Sequence, residues 1–255
     1  MVDLHCHILP FVDDGPKEIH DCLEMAKTAA DAGIIHLFAT PHHLNGQYNN
    51  SKSVILESVL ECNMHLQREK IPITVHPGQE LMIHREIFIS LENDELLTLD
   101  DKGKFLLLEL PSWEVPNYTQ DVVYELLLKG IIPIIVHPER NKGFIEDQNQ
   151  LFELVQEGAL TQLTAGSIIG HFGKKVKSFS EKIIKHNLAH FIATDAHNIG
   201  SRGFCLHEAY ETITKTFGIN QTFYFRENAE LLLSGQQIFI ERPVPIRKFL
   251  GIFDF

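Results

Sequence analysis

Short apolar runs alternate with longer stretches of helical periodicity along the chain. Seven runs read as strands: Val2–His5, Ile34–Ala39, Ile73–His76, Phe105–Leu110, Ile131–Val136, Leu160–Thr164 and Ala189–Thr194. They are dense in Val, Ile, Leu and Phe with little polar alternation, as parallel strands covered on both faces require. Between them, Lys17–Ala32, Ser51–Arg68, Thr119–Leu128, Asp147–Glu157, Lys175–His186 and Phe204–Phe217 carry apolar residues at helical spacing. Several stop at a glycine, at Gly33, Gly130, Gly158 and Gly218, because glycine accepts the left-handed backbone that ends a helix. Ser51 is the expected N-cap of its helix. No low-complexity linker or charge block divides the alternation. The pattern therefore predicts one (β/α) domain over residues 1–255, with 240–255 as a C-terminal tail.

Charge and cysteine usage narrow the functional class. The chain carries 22 Lys+Arg against 34 Asp+Glu, a formal charge of −12. Nucleic acid and anionic membrane surfaces are disfavoured as partners, because both need a basic patch. No apolar run reaches the roughly 18 residues of a membrane span. The N-terminus lacks a basic segment followed by an apolar one, so the expected location is the cytoplasm. The four cysteines are scattered without a CxxC pair, which fits reduced thiols and not a disulfide frame. Cys62 and Arg68 have the C-x5-R spacing of cysteine-dependent tyrosine phosphatases, but they lie in a helical pattern without glycine. Six helical residues turn through about 600°, leaving the two side chains far apart around the axis. Cys62 is not expected to act as a nucleophile.

Every strand-like run but the sixth ends in residues suited to metal or phosphate binding. Asp3-Leu4-His5-Cys6-His7 leads into Asp13-Asp14-Gly15. Then come Thr40-Pro41-His42-His43, Pro77-Gly78-Gln79-Glu80, Leu108-Glu109-Leu110-Pro111, His137-Pro138-Glu139-Arg140 and Thr194-Asp195-Ala196-His197, with Arg202 five residues on. Alternate residues of a strand share a face, so His5 and His7 can reach one ion. Asp3 is expected on that face as a carboxylate that orients an imidazole. If the strands close into a barrel, all these groups meet on its C-terminal rim, where βα loops place active sites. An open sheet would spread them too far apart. Beside this set, His43 is expected to point away or to stand behind a ligand, His76 to be a satisfied core or wall histidine, and Glu139 to be a solvated loop carboxylate. Ser167 reads as a helix cap, and Trp113 with Tyr118 as a wall for an aromatic substrate or as surface packing. The other histidines, His190 among them, read as surface or packing residues.

These motifs resemble the PHP (polymerase and histidinol phosphatase) superfamily. Nearly the whole chain is similar to its bacterial manganese-dependent tyrosine-protein phosphatases of the CpsB/YwqE-like kind. The matching residues are His5-Cys6-His7-Ile8-Leu9-Pro10 with Asp13-Asp14-Gly15, Ala39-Thr40-Pro41-His42, Gly78-Gln79-Glu80, Leu108-Glu109, His137-Pro138-Glu139-Arg140 and Thr194-Asp195-Ala196-His197. The resemblance implies an α/β fold, a distorted (β/α)7 TIM-like barrel, and three divalent metal ions. Manganese is the implied metal, with Fe or Zn left open by ligand chemistry alone. His5, His7, Glu80 and Asp195 would hold the first ion, Asp14, His42 and His197 the second, and Glu80, Glu109 and His137 the third. Glu80 would bridge two of them. Arg140 and Arg202 would clamp the phosphoryl oxygens and, with Glu80 and Asp195, make up the catalytic group. The implied reaction is hydrolysis of phosphotyrosine in proteins by a metal-activated water. The implied partner is a bacterial tyrosine autokinase controlling capsule or exopolysaccharide synthesis. Two alternatives stand beside it: a phosphoesterase for a small monoester such as histidinol phosphate, and a metal-binding scaffold without turnover. The motifs offer no dedicated general acid, which favours a phenolic leaving group with its pKa of about 10. The sequence leaves the oligomeric state open.

Overall fold

The computed structural model describes residues 1–246. Among them, the seven expected strands form as nine segments: β1 (Val2–Cys6), β2 (His36–Ala39), β3 (His42–His43), β4 (Thr74–Pro77), β5 (Glu80–Met82), β6 (Phe105–Glu109), β7 (Ile132–Val136), β8 (Leu160–Thr164) and β9 (Phe191–Ala193). Two strands are broken in the middle, at Thr40-Pro41 and at Gly78-Gln79. Register is unchanged across the breaks, with Ala39 opposite Pro77 and His42 opposite Glu80, so the two interruptions face each other. Pro41 has no N–H to give the ladder. Gly78 lies so close that a Cβ there would stand 2.9 Å from the Thr40 methyl.

All pairings are parallel, β1 with β2, β2 with β4, β3 with β5, and β5 through β9 in sequence. The chain beyond β9 returns to β1. There the Asp195 N–H donates to His5 O at 2.9 Å and the His7 N–H to Ala196 O at 2.8 Å. The seven strands thereby close into a barrel, as the fold expectation required.

The helices are α1 (Ile19–Asp31), α2 (Lys52–Arg68), α3 (Ile87–Glu92), α4 (Thr119–Leu128), α5 (Lys142–Glu146), α6 (Gln148–Glu157), α7 (Ala165–Ile169), α8 (Lys174–Lys185), α9 (Leu206–Phe217) and α10 (Ile219–Leu233). Ser51 does not cap α2 through its side chain; its Oγ lies 3.2 Å from Ser53 Oγ. Alternation along the strands splits their side chains between two cores. Leu106, Leu108, Ile135 and Ile192 pack outward with the helices, while Leu107, Ile134, Val136, Phe191 and Ala193 cluster inside the barrel. Both faces are apolar, which is why the runs lack polar alternation. Helix α10 packs on β1 and β9 and adds Ala229 and Leu232 to the inner cluster, plugging the end of the barrel away from the rim. The pattern predicted no helix there, because Thr222 and Asn228 interrupt its buried stripe. Of the expected tail, Val244 donates its N–H to His186 O at 2.9 Å and Ile246 is buried; residues 247–255 lie outside the described residues.

Candidate metal centre

The first ligands are delivered by an irregular strand end. Register between β1 and β2 slips between Asp3 and Cys6, so strict alternation fails there. Leu4 still points into the barrel core, and His5 and His7 both reach the rim. The expectation for Asp3 is corrected: its carboxylate accepts from the Thr194 N–H at 2.9 Å and from the Thr194 hydroxyl, not from an imidazole. It fixes the backbone just before Asp195, and its burial pushes its pKa up to about 6.

The structure brings all nine expected ligands into one cluster. His5 Nε2 and His7 Nε2 lie 3.2 Å apart, each within 3.6 Å of Glu80 Oε2 and Asp195 Oδ1. Asp14 Oδ1 is 3.5 Å from His42 Nε2 and 3.2 Å from His197 Nε2. His137 Nε2 is 2.8 Å from Glu80 Oε1 and 3.9 Å from Glu109 Oε1. The three donor groups overlap more than the expected sets did. His7 also approaches the second group, and His42 Nδ1 enters the third at 2.8 Å from Glu80 Oε2 and 3.6 Å from Glu109 Oε2.

Three imidazoles are oriented from behind. His5 Nδ1 faces Gln162 Oε1 at 2.8 Å, His7 Nδ1 faces Asp13 Oδ2 at 2.6 Å, and His197 Nδ1 faces the Asp195 carbonyl at 2.9 Å. With each Nδ1–H donating, each Nε2 turns a lone pair to the centre, as in metal-bound imidazoles. Neither Asp13 nor Gln162 was given a role from sequence. Gln162 carries a signal, a polar residue on the same strand face as the core residue Leu160; Asp13 differs from Asp14 only in direction. Gly15 follows because a Cβ there would stand 2.3 Å from His7 O.

Several polar atoms of the cluster crowd one another without forming a hydrogen bond. Among the described residues, His42 Nδ1, Glu80 Oε2, Glu109 Oε2 and His197 Nε2 are buried without one of proper geometry, close as His42 Nδ1 is to Glu80 Oε2 and His197 Nε2 to Asp14 Oδ1. Such groups are costly unless a cation meets them, and mixed N and O donors suit divalent Mn, Fe or Zn. The residues fit a metal centre. Burial, and then the neighbouring Glu80, push Glu109 up to about 8, as happens when carboxylates share a site. Burial would raise Glu80 and Asp195 too, but it is outweighed. His5 and His42 hold Glu80 well below the usual carboxylate range, and Arg140 with the His7 hydrogen bond does the same for Asp195. His137 and Asp195 occupy left-handed backbone, at φ 38° and 54°. Such strain costs about 1–3 kcal/mol per residue and collects at functional sites.

Arg140 Nη1 and Arg202 Nη2 each lie 2.9 Å from Asp195 Oδ2. Both line a cavity of about 300 Å³ together with His42, Glu80, Glu109 and His137. Glu139 is fully buried, which corrects its reading as a solvated carboxylate. Its Oε1 accepts from the Thr164 N–H at 3.0 Å and the Ser167 hydroxyl at 2.6 Å, tying the turn that carries His137 and Arg140 to the end of β8. Ser167 is therefore a partner of Glu139 and not a cap. Nothing in the local sequence separates a buried carboxylate from a solvated one at that position. His43 is buried outside the donor groups, and His76 is a satisfied histidine, with His36 at 3.0 Å and Asp100 at 3.2 Å. Tyr118 lies under the Arg85 guanidinium at 4.4 Å and does not line the cleft that Trp113 borders. Cys62 is buried in α2 with its Sγ 3.5 Å from Cys22 Sγ, away from the cluster.

Known proteins match this chain over most of its length. The profile of the capsular polysaccharide synthesis family CpsB/CapC matches residues 1–234. The tyrosine-protein phosphatase YwqE of Bacillus subtilis is 45% identical over 255 residues, 99% of this chain and 100% of that protein. The tyrosine-protein phosphatase CpsB of Streptococcus agalactiae is 27% identical, over 93% of this chain and 100% of its own. A solved structure from the YwqE and CpsB pair, described as metal-dependent tyrosine phosphatases of B. subtilis and Streptococcus pneumoniae, superposes with TM-score 0.94 at 44% identity. It covers 97% of this chain and 100% of that one. A TatD-like protein of Archaeoglobus fulgidus, at 13% identity and TM-score 0.50, shares the fold alone.

Proposed function

The chain belongs to the CpsB/CapC family, and from that membership we propose that it is a metal-dependent tyrosine-protein phosphatase. The observation that carries the reading is the crowding of His5, His7, His42, His137 and His197 with Asp14, Glu80, Glu109 and Asp195 beside two guanidiniums. Three divalent cations, Mn²⁺ in this reading, would be held by His5, His7, Glu80 and Asp195, by Asp14, His42 and His197, and by Glu80, Glu109 and His137. Bound there, they supply positive charge to a phosphoryl group and lower the pKa of a coordinated water from about 15.7 toward about 7.

The chain's own residues prepare the rest. Gln162, Asp13 and the Asp195 carbonyl hold the Nδ1 protons of His5, His7 and His197, so the Nε2 lone pairs stay turned inward. Arg140 and Arg202 keep donors beyond those spent on Asp195, and these meet the equatorial phosphoryl oxygens. A tyrosyl leaving group, with a pKa of about 10, departs with less proton help than an alkoxide, which favours phosphotyrosine over histidinol phosphate. The substrate in this reading is a bacterial tyrosine autokinase, met in the cytoplasm, whose state governs capsule or exopolysaccharide synthesis. No described helix is long and apolar enough to cross a membrane.

Protein stripped by a chelator is expected to lose hydrolysis of a phosphotyrosine peptide and to regain it with Mn²⁺, three metal ions per chain by elemental analysis. A preference for histidinol phosphate equal to that for the peptide would replace the substrate. No turnover with any divalent ion would leave a scaffold.

A further inference from the structure

Two cavities meet over the metal centre, and their chemistry differs. The one of about 300 Å³ holds both arginines. The other, of about 520 Å³, shares His42 and Glu109 with it, reaches Asp14, and has walls that include Tyr48, Met82 and Trp113 but, among the described residues, no Lys or Arg.

Local hydrogen bonds set both aromatic walls in place. Asn45 Oδ1 accepts from the Gln47 and Tyr48 N–H groups at 3.0 and 2.8 Å. Asn50 Nδ2 donates to the carbonyls of Val12 and His42 at 2.9 and 2.8 Å, anchoring the segment that carries Tyr48. The Tyr48 ring lies 8° from parallel to the His42 ring, with centres 6.2 Å apart. Trp113 stands on a turn closed by the Glu114 N–H to Pro111 O at 3.3 Å. Asn141 Nδ2 braces that turn at the carbonyls of Pro111 and Glu114, at 2.8 and 2.9 Å. Trp113 is nonetheless 68% exposed. A large aromatic face left open at the mouth of a polar cleft is free to stack on a ligand ring.

Resting on the phosphatase reading, we propose that the larger cleft receives the phenyl ring of the substrate, with Tyr48 and Trp113 as specificity-determining residues that favour aryl over alkyl phosphate monoesters. The division of charge supports this placement. A phosphoryl group is drawn to the cations and to Arg140 and Arg202, while the uncharged ring gains from stacking on aromatic faces where no cation competes for phosphate. His42 and Glu109, on the ridge between the cavities, stand where the ester oxygen links the two parts.

Trp113 is the single tryptophan of the chain, so its emission reports on this cleft. Titrating the metal-loaded protein with phenylphosphonate is expected to change that emission saturably, and titration with methylphosphonate to leave it unmoved. Tyr48→Ala and Trp113→Ala are each expected to lower kcat/KM for a phosphotyrosine peptide roughly three- to tenfold relative to glycerol 2-phosphate. The loss falls in KM, and Trp113→Phe recovers most of it. Unmoved emission in a wild type that turns over phosphotyrosine, or equal losses on both esters, overturns the cleft and leaves the phosphatase reading standing. So does a selective loss appearing instead in Phe172→Ala, whose ring lies under the Arg140 guanidinium at 5.2 Å. A wild type inactive on phosphotyrosine overturns both.

Discussion

The His7 ring sits between two carboxylates, with Asp13 Oδ2 2.6 Å from Nδ1 and Glu80 Oε2 3.3 Å from Nε2. Asp13 also accepts from the His42 N–H at 3.2 Å and, through Oδ1, from the Gly15 N–H at 2.9 Å, so one side chain positions two imidazoles. Asp13→Asn is expected to weaken metal affinity or turnover about 10- to 100-fold, measured by metal titration with the fold monitored by circular dichroism. Glu80 and Arg140 separate two further roles. Glu80→Gln should lower metal content and turnover together, because its carboxylate touches His5, His7, His42 and His137. Arg140→Ala should cost roughly 100-fold in kcat/KM with metal content near that of the wild type. Elemental analysis beside kinetics checks both, and the reverse pattern would refute the assignment. The candidates were legible because imidazoles and carboxylates recur just beyond the strand-like runs, and the family resemblance singled out nine of them as expected ligands. Gln162 and Glu139 were not, because their roles depend on partners far along the chain: His5 is 157 positions from Gln162 and Ser167 is 28 from Glu139.

At the level of elements, the strands were readable because burial on both faces leaves few polar positions, and α4 formed with its expected bounds. The short helices α3, α5 and α7 span too few residues for periodicity to declare them. The broken strands were invisible as breaks, although Pro41 and Gly78 mark them. Helix α10 is the largest omission, and its energetic weight can be tested. Phe225 is fully buried on it, and Asn228 ties it to the chain that follows through Phe239, accepting at 2.8 Å and donating at 2.9 Å. Phe225→Ala is expected to cost about 3–5 kcal/mol in urea unfolding, with the metal affinity of the folded protein kept, because the plug lies at the opposite end of the barrel from the rim.

For the molecule as a whole, acid stability has a buried histidine in it. His190 is enclosed, its Nδ1 accepting from the Thr161 N–H at 3.1 Å, and burial holds its pKa down to about 3, against about 6.5 in an unfolded chain. Between those values the unfolded chain binds a proton that the folded one refuses. The contribution of His190 is therefore full above pH 6.5 and is lost as pH drops toward 3, by up to about 1.4 kcal/mol per unit. His190→Asn, whose amide oxygen can accept from Thr161, should show a flatter urea midpoint between pH 6.5 and 4.5; parallel profiles would exclude this source. Closure of the barrel was argued from the need of distant strand ends to meet, and the His5–Asp195 and His7–Ala196 bonds supply it. The left-handed corners at His137 and Asp195 carry a consequence for lineage. Each turns the chain aside at its own Cα, and the next few residues still belong to the site, Glu139 and Arg140 after one corner and His197 and Arg202 after the other. Descendants of this chain can lengthen or rewrite the stretches past Arg140 and Arg202 and change their diet of esters while inheriting the cage unaltered.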